Sequence, residues 1–549
     1  VLFRSNPFAL KGESANGLGR IYDTLTTSSA DEPFTRYGLL AESMEMPEDR
    51  SWIVYHLRKG ARWHDGKPIT ADDVVWTVET LTTHPTVSPH YRFYYADIAS
   101  VKALDPLTVK FTFKPTGNRE LPLTVGEIPI LPKHYWTEKG AGRDVGKSTL
   151  TPPLGSGPYK IGAFETGRYI AYERVADYWG KDLNVNIGIN NFQTERVEYF
   201  RDGNVAVEGF KGGAYDFRSE NISKVWVTGY DIPAVKNGLI IKEAISHHNT
   251  APMQAYVFNS RREVFKDRRV RQALAYAFDF EWTNRNMFYG QYQRIRSYFG
   301  NSALEAKGLP GGEELAILEK YRGQVPDEVF TTEYNPPATK GDGRIRANLK
   351  IADRLLKEAG WTVQGKDRVH KDTGQKLEFE IMLAQPTFER VTLPFAKNLE
   401  RLGVTAKVRT VDTAQYIKRA ETHDFDVIVS GWGQSLSPGN EQRAYWGSAA
   451  ANTQGSRNHI GVNDPVVDEL IDLVIAAPDR KSLEQRTRAL DRVLQWGHYI
   501  VPHWFASFDR VLYWNKYSRP DVELPYGYRT NRWWYDEAKA AATAQGKTE

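Results

Sequence analysis

The sequence contains no cysteine, which excludes disulfide bonds, thiolate chemistry and metal sites built on Cys. This absence does not decide the compartment, because an oxidising space also tolerates a protein without cysteine. No apolar run approaches the roughly 20 residues that a transmembrane helix needs. The 72 basic and 68 acidic residues leave a net charge of only +4. Because no long basic block appears either, charge gives no argument for nucleic-acid binding.

An export signal is also missing from the N-terminus. The opening "VLFRSNPFAL" has no basic stretch followed by an apolar one. Its first five residues resemble a translated sequencing-adapter end fused to a gene fragment. We therefore expect the natural start to be missing from this chain, and the lack of a signal does not argue for the cytoplasm.

Aromatic residues are abundant, with 15 Trp, 29 Tyr and 24 Phe among 549 residues. Such residues fill cores or stack on ligands, and this excess leaves some for a solvent-filled cleft. A chain of this length exceeds a single hydrophobic core, so we expect two large lobes, with room for a subdomain.

Helical and strand-like segments alternate along the chain, which predicts an α/β fold. Thr70 with Asp73 three residues later predicts a capping box at the start of the helix "TADDVVWTVETL". Asp267 is expected to cap the helix in "DRRVRQALAYAFD". Gly360 and Gly497 follow two further helical patterns and are expected to be left-handed C-caps. The Pro/Gly-rich stretch that follows Phe330, "TTEYNPPATKGDGR", predicts a long surface loop between the lobes.

Two stretches of the sequence echo each other, Val197–Asn221 and Ala406–Gly433. Each reads as strand, turn, amphipathic helix and strand, which predicts a βαβ unit with parallel strands in one sheet. Coincidence remains the alternative, because short βαβ units are common. In each stretch one Asp opens the helix and a second, fourteen positions later, opens the next strand: Asp202 and Asp216, then Asp412 and Asp426.

Ligands of open α/β sheets bind beyond the carboxyl ends of the strands. The segments there are Ser219–Asn221 after the first unit and Gly431–Ser435 after the second, within "DFDVIVSGWGQSLSPGNEQ". Flanking glycines let backbone groups approach a ligand, so we expect Trp432 to be exposed in a cleft that it shares with Glu220. A Trp buried in the core is the alternative.

Several other residues leave the choice between a binding role and a structural role open. Glu220 and Asn221 are as compatible with solvated loop positions as with ligand contacts. Arg443, Tyr445 and Trp446 fit a helix packed on the loop equally well. No catalytic or metal-binding constellation is evident, and His247–His248 is the only adjacent histidine pair. We therefore expect no catalytic residues, no metal site and no cofactor.

Four ordered segments, "LRKGARWHDGKPITADDVVWTVETL", "GSGPYKI", "FKDRRVRQALAYAFD" and "DFDVIVSGWGQSLSPGNEQ", resemble the signature segments of family 5 extracellular solute-binding proteins. The resemblance covers the chain from about Asn6 to about Trp514. "DYWGKDLNVNIGINNF" followed by "EGFKGGAYDFRSEN" is similar to the YejA-like branch, which is associated with peptides. The family includes the peptide-binding components of bacterial ABC importers.

This resemblance implies a two-lobed, type II periplasmic-binding-protein fold with an extra subdomain in the first lobe. Lobe I would comprise 1–45, 153–250 and 505–549, with the subdomain at 46–152 and lobe II at 251–504. The protein would be a periplasmic monomer that captures a peptide or peptide-like solute by lobe closure and delivers it to an inner-membrane ABC permease. An oligosaccharide or an opine-like compound is the alternative ligand, and a secreted glycoside hydrolase is the rival class.

Classical peptide binders of the family carry an Asp after the Gly-Trp pair that binds the ligand α-amine. The corresponding loop here, Ser435–Asn440, contains no acid, so Glu441 or Glu220 would have to substitute, or the ligand would lack a free amine. The expected ligand-binding residues are Gly431, Trp432, Gly433, Gln434, Ser435, Ser437, Asn440, Glu441 and Arg443, with Glu220 and Asn221.

Overall fold

A computed structural model describes residues 3–546, except 33, 116, 119 and 148. The chain divides into two compact units. Unit 1 comprises Val1–Asn221, Thr228–His247 and Phe508–Glu549, and unit 2 comprises Ile222–Val227 and His248–Ser507. Among the described residues, none of the helices has the length and apolar character needed to cross a bilayer.

The strands in chain order are β1 (Phe3–Arg4), β2 (Glu13–Ser14), β3 (Thr26–Ser28), β4 (Arg36–Gly38), β5 (Ala41–Glu45), β6 (Trp52–Leu57), β7 (Ile98–Asp105), β8 (Thr108–Phe113), β9 (Tyr159–Glu165), β10 (Tyr169–Arg174), β11 (Thr194–Glu198), β12 (Phe217–Ser219), β13 (Ile240–Ser246), β14 (Met253–Phe258), β15 (Gln293–Arg294), β16 (Trp361–Gln364), β17 (Asp367–His370), β18 (Glu378–Leu383), β19 (Thr405–Thr410), β20 (Val427–Trp432), β21 (Ile500–Pro502), β22 (Trp504–Phe505), β23 (Phe508–Trp514), β24 (Tyr517–Ser518) and β25 (Trp534–Tyr535).

The α-helices in chain order are α1 (Ala71–Thr83), α2 (His90–Tyr94), α3 (Leu121–Val125), α4 (Lys133–Trp136), α5 (Gly203–Lys211), α6 (Ser223–Thr228), α7 (Pro233–Lys236), α8 (Arg268–Ala275), α9 (Phe280–Met287), α10 (Gly312–Glu319), α11 (Glu328–Thr331), α12 (Arg346–Glu358), α13 (Glu389–Glu400), α14 (Thr413–Glu421), α15 (Glu441–Trp446), α16 (Pro465–Ile475), α17 (Arg480–Trp496) and α18 (Glu537–Gly546). Short 3-10 helices occupy Leu18–Ile21, Asn184–Asn186, Glu263–Phe265, Pro386–Phe388, Ser448–Ala450 and Thr530–Arg532.

Unit 1 contains one four-stranded antiparallel sheet, in the order β5-β6-β8-β7, and two three-stranded sheets, β11-β10-β9 and β12-β23-β13. Strand β23 lies between β12 and β13 and is antiparallel to both. The pairing places Ser219, the last residue of β12, opposite Val511. The backbone N–H of Glu220 then donates to the Arg510 carbonyl at 2.8 Å, which holds the loop after β12 against the sheet.

Unit 2 is built on a five-stranded mixed sheet in the order β19-β18-β20-β14-β21. Strand β18 is parallel to β19 and β20, while β14 is antiparallel to β20 and β21. Met253 pairs with Trp432 at one end of β14, and Phe258 pairs with Val427 at the other. We call these ends of the sheet the Trp432 edge and the Phe258 edge. The Trp432 edge is the carboxyl end of β20.

Local sequence signals set most of the predicted helix starts correctly. The predicted capping box of Thr70 and Asp73 is present at the start of α1, and the Asp267 side chain accepts from the Arg269 N–H at the start of α8. Gly360 has a φ of 87°, as expected for a left-handed cap. The prediction for Gly497 is wrong. It stays in the right-handed region with φ −67°, and the next residue, His498, takes φ 50°.

The predicted echo of two βαβ units is confirmed for the second stretch and wrong for the first. Strands β19 and β20 both run parallel to β18 in one sheet, with α14 between them in the chain. Strands β11 and β12, by contrast, lie in different sheets. The shared feature is the helix cap, because Asp202 and Asp412 each accept from backbone N–H groups of the following helix.

The Pro/Gly-rich loop that follows α11 does not lie between the units, because Thr331 to Arg344 belongs entirely to unit 2. Most of its residues are exposed or half-buried, as expected for a surface loop. The predicted division of the first lobe into a core and a subdomain stays a prediction.

Candidate functional site

Trp432, the residue expected to be exposed in a cleft, is buried, with 0% of its surface exposed. Its ring centroid lies 4.7 Å from that of Trp446 and 6.3 Å from that of Tyr298. Its indole N–H donates to the Arg457 carbonyl at 2.9 Å. The expectation of an exposed stacking surface is therefore wrong, since every face of the indole is occupied and its one polar atom is satisfied.

The two flanking glycines have different reasons to be there. A Cβ at Gly431 would lie 2.8 Å from the Met253 carbonyl, so this glycine permits close pairing of β20 with β14. A Cβ at Gly433 would meet open space. Gly433 is exposed, and its carbonyl accepts from the Tyr445 hydroxyl at 3.3 Å. Gly433 thus leaves exposed backbone at the Trp432 edge, whereas Gly431 is half-buried.

The loop after Gly433 is held by hydrogen bonds to its backbone and side chains. The Gln434 and Gln442 amides pair with each other, at 2.7 Å for the Gln442 N–H₂ to Gln434 carbonyl bond. The Thr250 hydroxyl donates to the Gln434 main-chain carbonyl. Ser435 Oγ accepts from the Ser437 N–H at 3.1 Å. The loop therefore has a defined conformation that positions its outward-facing groups.

Helix α15 packs on this loop. Tyr445 and Trp446 are buried, with 6% and 0% of their surfaces exposed, and the Trp446 indole N–H donates to Gln442 at 2.8 Å. The packing alternative therefore describes both aromatic residues. Arg443 is half-buried and forms an ion pair with Asp472 at 3.0 Å. Glu441, also half-buried, accepts from the Gly439 N–H at 2.9 Å.

The predicted unit-2 residues thus separate into an accessible group and a buried group. Asn440 is buried, with 3% of its surface exposed, so it is not a surface contact for a solute, and Trp432 is enclosed as described. The residues that keep exposed or half-exposed surface are Gly431, Gly433, Gln434, Ser435, Ser437, Glu441 and Arg443.

Sequence reasoning missed the residues that hold the loop from a distance in the chain. Arg457 donates to the Gly431 carbonyl at 3.0 Å and to the Tyr445 hydroxyl at 3.2 Å. Its guanidinium also lies 4.8 Å from the centre of the Tyr445 ring. Arg480 donates to the Leu436 carbonyl. Neither arginine belongs to a motif, so no signal in the sequence marks it.

In unit 1, Glu220 is buried rather than solvated, with 2% of its surface exposed. Its carboxylate pairs with the Arg218 guanidinium at 2.9 Å and accepts from the Tyr230 hydroxyl at 2.7 Å. Burial alone would lower the pKa of Arg218, but the hydrogen bond and charge of Glu220 raise it above its ordinary value. The solvated-loop interpretation of Glu220 is therefore wrong. Asn221 is exposed.

Within the described part of the chain, no group of three or more His, Asp and Glu side chains is arranged to hold a metal ion. Histidine near the site is held neutral. Burial, together with the charges of Arg457, His423 and Arg261, lowers the pKa of His459 to about 3. The ring of His459 lies 6.3 Å from that of Trp432.

Comparisons with known proteins identify relatives over nearly the whole chain. Residues 35–454 match the family described as bacterial extracellular solute-binding proteins, family 5 middle. A "probable peptide-binding protein YejA" of Agrobacterium fabrum is 44% identical over 539 residues, covering 97% of this chain and 87% of that protein. A "peptidoglycan-binding protein YepA" of the same organism is 36% identical over 546 residues, covering 96% and 88%.

The fold is similar to that of the oligopeptide-binding protein AppA from Bacillus subtilis, whose structure was solved in complex with a nonapeptide. The TM-score is 0.76 at 20% sequence identity, over 98% of this chain and 97% of AppA. This likeness confirms the predicted α/β fold of the two-lobed periplasmic binding proteins. The family match and the identity to YejA together confirm the predicted resemblance. This chain belongs to family 5 of the bacterial extracellular solute-binding proteins.

Proposed function

We propose that this protein captures a peptide or peptide-like solute in the periplasm, without chemical change, and delivers it to the permease of an ABC importer. The observation that carries the proposal is the 44% identity, over 97% of this chain, to a probable peptide-binding protein. At this identity the two chains share a fold over nearly their whole length. Family membership supports transport rather than catalysis.

Solute capture works by lobe closure in this proposal. A bound solute shifts the equilibrium between the open and closed forms towards the closed form. The size of this shift is set by how much more tightly the solute binds the closed form than the open form. The lobes in this proposal are those that the family resemblance implies, with 46–152 as a subdomain of the first lobe. The contribution of unit 2 comes from the Trp432 edge, where the Gly433 backbone and the Ser435 side chain are exposed.

The loop residues act as hydrogen-bonding partners rather than as a stacking surface in this proposal. Gln434, Ser437 and Arg443 are half-buried, so each presents part of its polar side chain. Trp432 packs against Trp446 and in this way supports the loop. Mixed polar contacts of this kind, together with bound water, suit a site that accepts solutes of different sequence.

Glu441 is the acid that we assign to the α-amine of a peptide. A charged amine in a closed site needs a partner, because an unpaired buried charge is very costly. The Glu220 carboxylate is already engaged by Arg218 and Tyr230. Glu441 keeps half-exposed surface next to the loop, where its carboxylate accepts from the Gly439 N–H at 2.9 Å and from the Gln442 side-chain amide at 3.0 Å.

The test is a binding titration with matched peptides. We would measure thermal stabilisation and calorimetric affinity for di-, tri- and tetrapeptides and for their N-acetylated forms. Glu441→Gln should weaken binding of free-amine peptides by about tenfold or more and leave acetylated peptides unchanged. Glu378→Gln, at an exposed position of β18, is the matched control. Equal affinities in Glu441→Gln and the unmodified protein would remove the amine assignment.

A glycan-bearing peptide is the second candidate solute, because a relative at 36% identity is named a peptidoglycan-binding protein and Ser435–Asn440 contains no acid. Mass spectrometry of solute that co-purifies under native conditions distinguishes the candidates. A muropeptide, an opine or an oligosaccharide in that fraction, with no stabilisation by plain peptides, would replace the peptide proposal. Consumption of any of these compounds would mark an enzyme instead.

A further inference from the structure

A pocket of 420 Å³ lies at the Phe258 edge of the unit-2 sheet, at the opposite end of β14 from Trp432. It is lined by Ser260, just beyond the end of β14, and by segments around α8 and residues 451–463. Of the lining residues, all of which belong to the described part of the chain, Arg261, Lys266 and Arg271 are cationic and none is acidic. The pocket therefore has an excess of positive charge.

Arg271 is the most deeply buried of these cations, with 5% of its surface exposed. Its guanidinium donates to three carbonyls, at 2.6 Å to Phe265, 2.8 Å to Lys266 and 2.7 Å to Gly497. Its Nε is buried and has no hydrogen-bond partner among the described residues. Burial lowers the pKa of Arg271, and the charges of Tyr499 and Asp267 only partly oppose this.

Arg261 is held only by neutral acceptors. Its Nη1 donates to Asn259 Oδ1 at 2.9 Å, and its other contacts are the backbone carbonyls of Ala451, Asn458 and His459. Desolvation lowers its pKa to about 10. Lys266, in contrast, pairs with the exposed carboxylate of Glu263 at 2.6 Å. Two arginine charges are therefore left without an ion pair within the described residues.

Neutral donors complete the lining. The Tyr499 ring lies 4.9 Å below the Arg271 guanidinium, and its hydroxyl makes no hydrogen bond to a described residue. Burial raises the pKa of Tyr499, so the hydroxyl remains a donor at neutral pH. Asn452 and Asn463 are exposed on the rim. Gly461, with φ 83°, has no Cβ to displace Arg261, since such an atom would lie 2.8 Å from its Nη1.

We propose that this pocket binds a phosphate-class oxyanion, an inorganic phosphate or a phosphate monoester. The Tyr499 O–H donates to its oxygens, and the charges of Arg261 and Arg271 attract it. A bound dianion offsets the cost of the buried Arg271 charge and the half-buried Arg261 charge, neither of which has an ion pair among the described residues. The site is separate from the Trp432 edge and does not rest on the proposed function.

A negative charge introduced at the rim tests this without replacing Arg261 or Arg271. Inorganic phosphate is titrated into the full chain at constant ionic strength, with sodium chloride as the compensating salt. We expect phosphate to raise the melting temperature and to shift the Arg271 Nε–H signal in an NMR spectrum. Asn463→Asp should weaken phosphate binding by about tenfold or more, while Asn463→Gln and the remote Lys320→Gln leave it unchanged.

The source of the oxyanion is distinguished by parallel titrations with glycerol 3-phosphate and with vesicles that contain phosphatidylglycerol. A response to phosphate and the monoester alone supports a free metabolite, whereas a response to vesicles alone overturns the proposal in favour of a membrane contact. No response to millimolar phosphate beyond that to chloride, or equal binding in Asn463→Asp and Asn463→Gln, would also overturn it. Solute binding measured in the same variants shows whether the proposed function stands independently.

Discussion

Replacing Trp432 by alanine tests whether this residue is core or ligand surface. The indole is enclosed, with 0% of its surface exposed, so the substitution leaves a large cavity beside Trp446 and Tyr298. Core Trp to Ala changes cost about 3–5 kcal/mol of unfolding free energy. The lost N–H bond leaves the Arg457 carbonyl without its donor, which places the expected loss in the upper half of that range.

A second substitution separates the hydrogen bond from the packing. Trp432→Phe keeps an aromatic ring against Trp446 but removes the N–H donor, and we expect a loss of about 1–2 kcal/mol. Trp534→Ala, at a position with 41% of its surface exposed, is the matched control and should change stability by less than about 0.5 kcal/mol.

Urea unfolding followed by far-UV circular dichroism measures the overall loss. Because a chain of two units does not guarantee a two-state transition, hydrogen exchange of the amides of β14 and β20 provides the local measurement. Faster exchange there in Trp432→Ala, with normal exchange in unit 1, is the expected result. If Trp432→Ala keeps its stability within about 1 kcal/mol but loses solute affinity tenfold, the indole is a binding surface and the core assignment is wrong.

Two further predictions concern buried charges. Glu220→Gln should destabilise unit 1 by about 3 kcal/mol in urea unfolding, because it leaves the Arg218 charge uncompensated; unchanged stability with weaker solute binding would instead make Glu220 a solute contact. Burial and the nearby Arg268 and Arg271 lower the pKa of His498 to about 3, so its contribution to stability is present above pH 6.5 and lost as pH falls towards 3. His498→Asn, which tolerates the positive φ, should reduce the acid-induced loss by about 1.4 kcal/mol per pH unit over that window, and parallel pH profiles would contradict this.

The helix starts were predictable because a cap is a local device. Thr70 and Asp73 satisfy each other's backbone N–H groups within a single turn, so the sequence contains the whole interaction. Helix ends are less determined. Gly497 looked like a left-handed cap, yet the positive φ falls on His498, because α17 continues through Trp496 and Gly497 remains helical in its dihedral angles.

The site was predicted less well than the fold. A Trp between two glycines is compatible with a surface that stacks on a ligand and with close pairing of two strands. Which of the two applies depends on Met253, which lies far away in the chain. The burial of Glu220 did have a signal. Arg218 stands two positions earlier on the same strand face, where a carboxylate and a guanidinium meet. Reading strand periodicity at that point predicts the ion pair.

The echo between the two βαβ-like stretches shows where local sequence stops determining topology. Asp202 and Asp412 each cap a helix through the same contact, so the turn and helix follow from a few neighbouring residues. The pairing of the strand after each helix depends instead on strands from other parts of the chain. Strand β20 pairs with β18, from the same region of sequence, and with β14, from much earlier in the chain, whereas β12 pairs with β23, nearly 300 residues later. The orientation of the loop after each strand depends on that remote choice. It is therefore the distant partners, Arg457 and Thr250 at one site and Arg510 at the other, that decide which polar groups face solvent.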